Sequence, residues 1–347
     1  MEQKVFDPDG VGVDNGAYFG LPFEAESAKM VLISVPWDVT VSYGAGTAYA
    51  PDAIIEASTQ LDFYDPIARD AWCRGIATAD IDYSLQELSQ KLRQDAVKVI
   101  NHLEDGGSPD NDSIIRKVRR INEGCMEMNA NVYAQAKHWL EKGKLVGLVG
   151  GDHSTPYGLI RALSEQHKNF GVLHIDAHRD MREAYEGFEY SHASIMFNVL
   201  RDIPQVSQLT QVAVRDFSEH EAQLAESDPR VASFDDLELS TAEFCGETWD
   251  AQCRRIAQTL PEEVYVSFDI DGLSFDNCPH TGTPVTGGLS FNKAIWLINT
   301  LIETGHHIIG FDMVEVCPSS NEEDRLDAIV GARVLWKLAN LTLKSND

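Results

Sequence analysis

The segments His174-Ile-Asp-Ala-His-Arg-Asp180 and Asp269-Ile-Asp271 concentrate the side chains best equipped for chemistry in this chain. Each ends a short apolar run of β type, Gly171-Val-Leu-His-Ile175 before the first and Val264-Tyr-Val-Ser-Phe268 before the second. In extended backbone, residues two apart point the same way. Asp176, His178 and Asp180 therefore project together, and so do Asp269 and Asp271. Carboxylates and imidazoles crowded at buried strand ends repel and desolvate one another unless a cation compensates. A metal site supplies that cation, and so many carboxylates suggest more than one ion. One acidic strand end alone would read as an N-cap for the next helix. Two such clusters, each directly after an apolar strand, point to metal.

A third fragment adds a ligand type. Leu145-Val-Gly-Leu-Val149 reads as a buried strand, followed by Gly150-Gly-Asp-His-Ser154 and a helical pattern from Pro156. Two glycines at a strand-to-helix turn permit close backbone approach. Asp152 is placed to cap that helix, which leaves His153 at the strand's carboxyl end beside the other clusters.

The elements that must position these residues alternate along the chain. Strand-like runs fall at residues 30–36, 145–149, 171–175, 211–214, 264–268 and 307–311. Helical patterns fall at 51–60, 131–141, 156–166, 192–201, 247–259, 292–304 and 325–338. Such alternation predicts a mainly parallel sheet covered on both faces, with the ligand site beyond the carboxyl ends of the strands. Residues 1–29 read as an irregular arm. Residues from about 81 to 128 read as an insertion: a helix over 85–103, a loop rich in Gly, Pro and Asp, and a basic helical piece over 114–121. The whole of 1–347 is taken as a single domain.

Composition excludes several classes of partner. Net charge is 28 − 55 = −27, which argues against nucleic acid and anionic membranes. No apolar run approaches membrane-spanning length, and the first residues lack the basic start and apolar core of a secretory signal. Six scattered cysteines without a Cys-x-x-Cys pair fit reduced thiols in a cytoplasmic protein.

Gly150-Gly-Asp-His-Ser154, Asp176-Ala-His-Arg-Asp180, Ser267-Phe-Asp-Ile-Asp-Gly272 with Thr281-Gly-Thr-Pro-Val-Thr-Gly-Gly288, and Val314-Glu-Val-Cys-Pro318 together resemble the ureohydrolase family of arginases and agmatinases. The resemblance implies a three-layer α/β/α fold, a homo-oligomer (trimer or hexamer) and a centre of two manganese ions. His153, Asp176, Asp180 and Asp269 would hold one ion, and Asp176, His178, Asp269 and Asp271 the other. Carboxylate-dominated sites with some imidazole suit Mn²⁺, and Ni²⁺ or another divalent ion also fits the ligand types. Two adjacent ions can share one water and lower its pKa toward neutrality, which hydrolysis of an unreactive guanidinium carbon requires.

The same resemblance assigns the remaining roles. Glu315 matches the glutamate that clasps the guanidinium, His192 the proton-shuttling histidine, and Thr283 a threonine of the guanidinium pocket. Asp180 joins His192 and Glu315 in the catalytic set. Substrate choice is less defined. Met181-Arg-Glu-Ala-Tyr-Glu-Gly-Phe-Glu-Tyr-Ser-His192 is similar to an agmatinase branch, while Arg182 could meet a substrate carboxylate. Ser274-Phe275 stands where the family usually has Asp-Pro, and an arginine common near Tyr43-Gly-Ala-Gly-Thr47 is missing. The expected reaction is urea release from a small guanidino compound, agmatine first, with arginine, guanidino acids and guanidine as alternatives. Formimidoylglutamate hydrolysis, a deacetylase-like amide hydrolase and a non-catalytic metal-binding regulator stand as readings from other classes.

Overall fold

A computed structural model describes residues 6–321 and 323–347. Its strands are β1 (Met30–Val35), β2 (Ile76–Thr78), β3 (Leu145–Gly150), β4 (Phe170–Ile175), β5 (Val206–Val212), β6 (Val231–Phe234), β7 (Glu263–Asp269) and β8 (His307–Val314). The first five helices are α1 (Ala50–Ser58), α2 (Tyr83–Glu104), α3 (Asp112–Glu141), α4 (Tyr157–Leu163) and α5 (Ile195–Asp202). The next five are α6 (Glu219–Ser227), α7 (Asp236–Phe244), α8 (Trp249–Ala257), α9 (Phe291–Glu303) and α10 (Leu326–Ser345).

The strands form one sheet in the order β2-β1-β3-β8-β7-β4-β5-β6, and every pairing is parallel. Side-chain alternation divides its apolar residues between two cores. Leu173, Val266, Phe311 and Met313 face α1, α8, α9 and α10, through residues such as Ile54, Ile256, Leu297 and Leu335. Val31, Leu148, Val172 and Tyr265 face α2, α3, α4 and α5, through Leu92, Val132, Leu159 and Val199. The result is three layers, α/β/α. Burial on both faces explains why the central strands read as near-continuous apolar runs.

Some elements differ from the sequence expectation. The fourth expected strand, 211–214, begins earlier, at Val206. The short edge strands β2 and β6 and the polar helices α6 and α7 give no periodic signal strong enough to find. The basic piece at 114–121 and the helix at 131–141 are one continuous helix, α3. Asn122 and Gly124, both weak helix formers, lie between those two pieces. Tertiary packing overrides that preference: a Cβ at Gly124 would lie 2.2 Å from Leu92 Cδ1, so the small residue lets α2 settle against α3. Among the described residues, no helix is long and apolar enough to cross a membrane.

Candidate metal centre

Four adjacent central strands, β3-β8-β7-β4, deliver the site. Val149 pairs with Met313, Met313 with Phe268 and Phe268 with Ile175, so their carboxyl ends lie level. His153 follows β3, Glu315 follows β8, Asp269 closes β7 with Asp271 just beyond, and Asp176 to Asp180 follow β4.

The turn after β3 needs its glycine. A Cβ at Gly151 would lie 1.9 Å from the Trp37 carbonyl oxygen, and Asp152 donates its N–H to that same oxygen. Asp152 does not cap α4 as expected. That helix starts at Tyr157 behind Pro156 with no side-chain cap, while the Asp152 carboxylate accepts from the Ser154 N–H and hydroxyl and from the Thr40 hydroxyl. Its short local turn competes with the helix end for the same oxygen atoms.

His153 is buried, and its Nδ1 lies 2.9 Å from Asp176 Oδ2, 3.0 Å from Asp180 Oδ2 and 3.2 Å from Asp269 Oδ2. None of these contacts is a well-directed hydrogen bond, so Nδ1 is an orphaned buried polar atom. Three carboxylate oxygens and one imidazole nitrogen converging without mutual satisfaction fit a cation held between them. The other ring nitrogen, Nε2, meets the Ser267 hydroxyl at 2.9 Å, which fixes the ring plane. A second group adjoins the first: His178 Nδ1 lies 3.4 Å from Asp176 Oδ1 and 3.1 Å from Asp271 Oδ2. Asp176 thus turns one oxygen toward each group. Backbone N–H donors orient the rest, from Ala177 to Asp271 and from Asp271 to Asp269.

The electrostatics are those of crowded buried acids. Burial, then the charges of Asp271 and Asp176, push the Asp269 carboxyl well above its usual range. Burial and Asp176 raise Asp180 to about 6. Burial alone would lower His153, yet Asp176, Asp180 and Asp269 overcome it and hold the ring well above its ordinary value. Both effects show a cluster that gathers positive charge. Asp180 and Glu315 also sit at φ of 53° and 60°, in the left-handed region that few non-glycine residues occupy.

Glu315 faces this cluster across a cavity of about 140 Å³. Its Oε1 accepts the His153 N–H at 2.8 Å, its own N–H donates to the Gly151 carbonyl, and its carbonyl accepts the Thr281 hydroxyl. His192, Thr283 and Arg182 line the same cavity. The His192 N–H donates to the Thr40 hydroxyl, and burial, followed by the charges of His178 and His153, lowers its ring to about 3. Arg182 lies over the Tyr185 ring, with Nη2 3.5 Å from Glu221 Oε2. A larger apolar groove of about 650 Å³ between α2, α3 and the turn at Glu186 contains none of these residues.

Every residue singled out in the sequence therefore lies at this one end of the sheet. Sequence reasoning gave no role to His174, whose Nε2 meets Asp176 Oδ2 at 2.8 Å while its Nδ1 faces the Gln211 amide at 3.1 Å. Gln211 also donates to the Arg179 carbonyl and accepts from its guanidinium, which fixes the amide's orientation. The Gln211 NH₂ then donates to Nδ1 and leaves the proton on Nε2, so His174 directs that N–H at Asp176 and orients its carboxylate within the group it forms with His153 and Asp180. The signal was available, since His174 near the end of β4 and Asp176 just past it are two apart in extended chain.

The Arginase family model matches residues 28–340. The chain is 28% identical over 297 residues to the N(1)-aminopropylagmatine ureohydrolase of Thermus thermophilus, covering 85% of this chain and 84% of that one. It is 28% identical over 323 residues to an agmatinase of Neisseria meningitidis, covering 92% and 89%. The agmatine ureohydrolase of Thermoplasma volcanium has a similar fold, with a TM-score of 0.68 at 23% identity over 92% of each chain. With the family model spanning nearly its whole length, the chain belongs to the arginase family.

Proposed function

We propose that this chain hydrolyses a guanidino C–N bond and releases urea, with agmatine, converted to putrescine, as the substrate. One observation carries the reading: His153 Nδ1 stands among three carboxylates, and Glu315 lies across the same cavity. His153, Asp176, Asp180 and Asp269 would hold one divalent ion, and Asp176, His178, Asp269 and Asp271 a second, with manganese the ion the donors suit best. When bound, such a pair supplies the Lewis acidity that makes water nucleophilic near neutral pH.

The chain's own residues do the rest. Glu315 spends one lone pair on the His153 N–H and keeps the others for the N–H donors of a planar guanidinium, orienting its carbon. Thr283 borders that cation. His192, held neutral by burial, accepts a proton transiently and passes it to the leaving amine. His192→Ala should keep full metal content and lower kcat by about 100-fold with little change in KM. Elemental analysis showing metal loss would move His192 into the ligand set, and an unchanged kcat would leave it structural.

Two features bear on the substrate. Relatives named agmatinase and aminopropylagmatine ureohydrolase, and the acidic Asp216 and Glu221 on the cavity wall, favour a guanidino amine. Arg182 on the same wall favours a guanidino acid, although Glu221 lies close enough to offset its charge. The deciding experiment measures urea and formamide from a panel of guanidino compounds, on protein loaded with Mn²⁺ and, separately, Ni²⁺. Fastest urea release from agmatine is the expected result. Faster release from arginine or guanidinobutyrate would reassign the substrate, and formamide from formimidoylglutamate would reassign the reaction.

A further inference from the structure

Ser89 and Arg93 stand one turn apart on α2, within the segment that interrupts the strand-helix alternation, and both reach the loop that follows β1. The buried Ser89 hydroxyl accepts the Asp38 N–H at 3.1 Å and donates to Asp38 Oδ1 at 3.2 Å. Asp38 Oδ2 in turn accepts the Gly46 N–H at 2.9 Å, closing the loop on itself. The Arg93 guanidinium donates to the carbonyls of Val39 and Val41, at 3.1 and 2.5 Å. Between those two carbonyls lies Thr40, fully buried, whose hydroxyl accepts the His192 N–H at 3.1 Å and donates to Asp152 Oδ2 at 3.4 Å. Ser42 lines the cavity, and Gly44 donates its N–H to the Gly282 carbonyl beside Glu315.

We infer that Ser89 and Arg93 are positioning residues: α2 holds residues 38–46 as the roof of the cavity and, through Thr40, sets the place of His192. The physics favours such a clamp. Carbonyl groups of an irregular loop need donors wherever water is excluded, and the Arg93 Nη1 group satisfies two of them at once. An error of about 1 Å in a catalytic group costs about 100-fold in rate, so a modest loosening of the roof is readable in kcat. The inference rests on His192 as the proton relay, and it assigns part of the active-site framework to a helix pair that carries no catalytic group.

The test uses the full metal-loaded chain and urea release. Arg93→Gln should lower kcat about tenfold, with KM within about twofold and metal content unchanged. Arg93→Lys, which still donates to carbonyls, should recover part of the loss. Arg120→Gln, which cuts the ion pair from the exposed Arg120 to the buried Asp95 across the same helix pair, should leave kcat unchanged and so reports any general loosening of α2 and α3. Combining Arg93→Gln with Thr40→Val should give less than the product of the single losses, because both act through one contact. Independent losses, or an unchanged kcat in Arg93→Gln, would overturn the inference. Failure of the relay itself is read separately. Tyr43 is 84% exposed on this loop, so chymotrypsin should cleave after it faster in Arg93→Gln than in the parent, whatever His192→Ala does to turnover. Unchanged cleavage would remove the clamp.

Discussion

Asp269→Asn should lose at least one metal equivalent and lower kcat/KM by about 100-fold or more. Removing even a group that merely orients a metal ligand costs about 10–100-fold, and Asp269 is proposed as a ligand to both ions. The substitution is chosen so that the fold survives it. An asparagine carbonyl can still accept the Asp271 N–H that Asp269 Oδ1 accepts now, so the turn after β7 keeps its bond. What disappears is the charge 3.2 Å from His153 Nδ1. Stability should move the opposite way in metal-free protein. Burial with Asp271 and Asp176 raises the Asp269 carboxyl well above its unfolded value, so its stabilising contribution is present at acid pH and lost as pH rises through the folded pKa. The chelated parent therefore loses stability as pH rises, whereas the variant has no carboxyl there to ionise, and the chelated variant should melt no lower on the alkaline side. Added metal should raise the parent's stability, by about 2.7 kcal/mol at a hundredfold excess over Kd, and the variant's far less. Full metal content with near-normal turnover in Asp269→Asn would sink the two-metal reading.

The features legible in the sequence share a physical cause. β3, β4, β7 and β8 are buried on both faces, so each is a near-continuous apolar run, and the polar clusters directly after them stand out. The two-residue alternation of a strand then groups Asp176 with His178 and Asp180, and it groups Asp269 with Asp271. Features set by distant contacts left no such trace. β6 is half-buried, with Val231, Ala232 and Ser233 all partly exposed, and nothing marks it as a strand until it pairs with β5. α3 continues through Asn122 and Gly124 because α2 packs there, a fact about Leu92 rather than about the local sequence. Thr40 and Arg93 carry no motif at all. They matter through hydrogen bonds to Asp152, His192 and loop carbonyls far away in the chain, and a pattern-based reading sees only near neighbours. Asp152 shows the converse error: a residue type that favours helix caps sits where one is needed, yet the adjacent Ser154 takes its oxygen first.

Glu315→Gln should reduce kcat/KM by about 30-fold or more while metal content and melting temperature hold. Removing one member of a desolvated charge pair typically costs about 2–5 kcal/mol, and each 1.4 kcal/mol is a tenfold step. The geometry says why the amide cannot stand in. Glu315 Oε1 is committed to the His153 N–H, so glutamine must place its oxygen there to keep that bond. Its NH₂ then takes the Oε2 position and presents two donors to a guanidinium that itself offers only donors. Attraction becomes repulsion at the one place where the cation is to be clasped. The backbone gives no competing explanation for a loss, because glutamine tolerates the φ of 60° as well as glutamate does and the Glu315 N–H bond to Gly151 is untouched. Burial and the charge of Asp152 push the Glu315 carboxyl well above its usual range, and a cation clasped there favours its charged form. A variant with unaltered kcat/KM would remove Glu315 from the guanidinium site. It would leave only the metal cluster as the basis for the reaction.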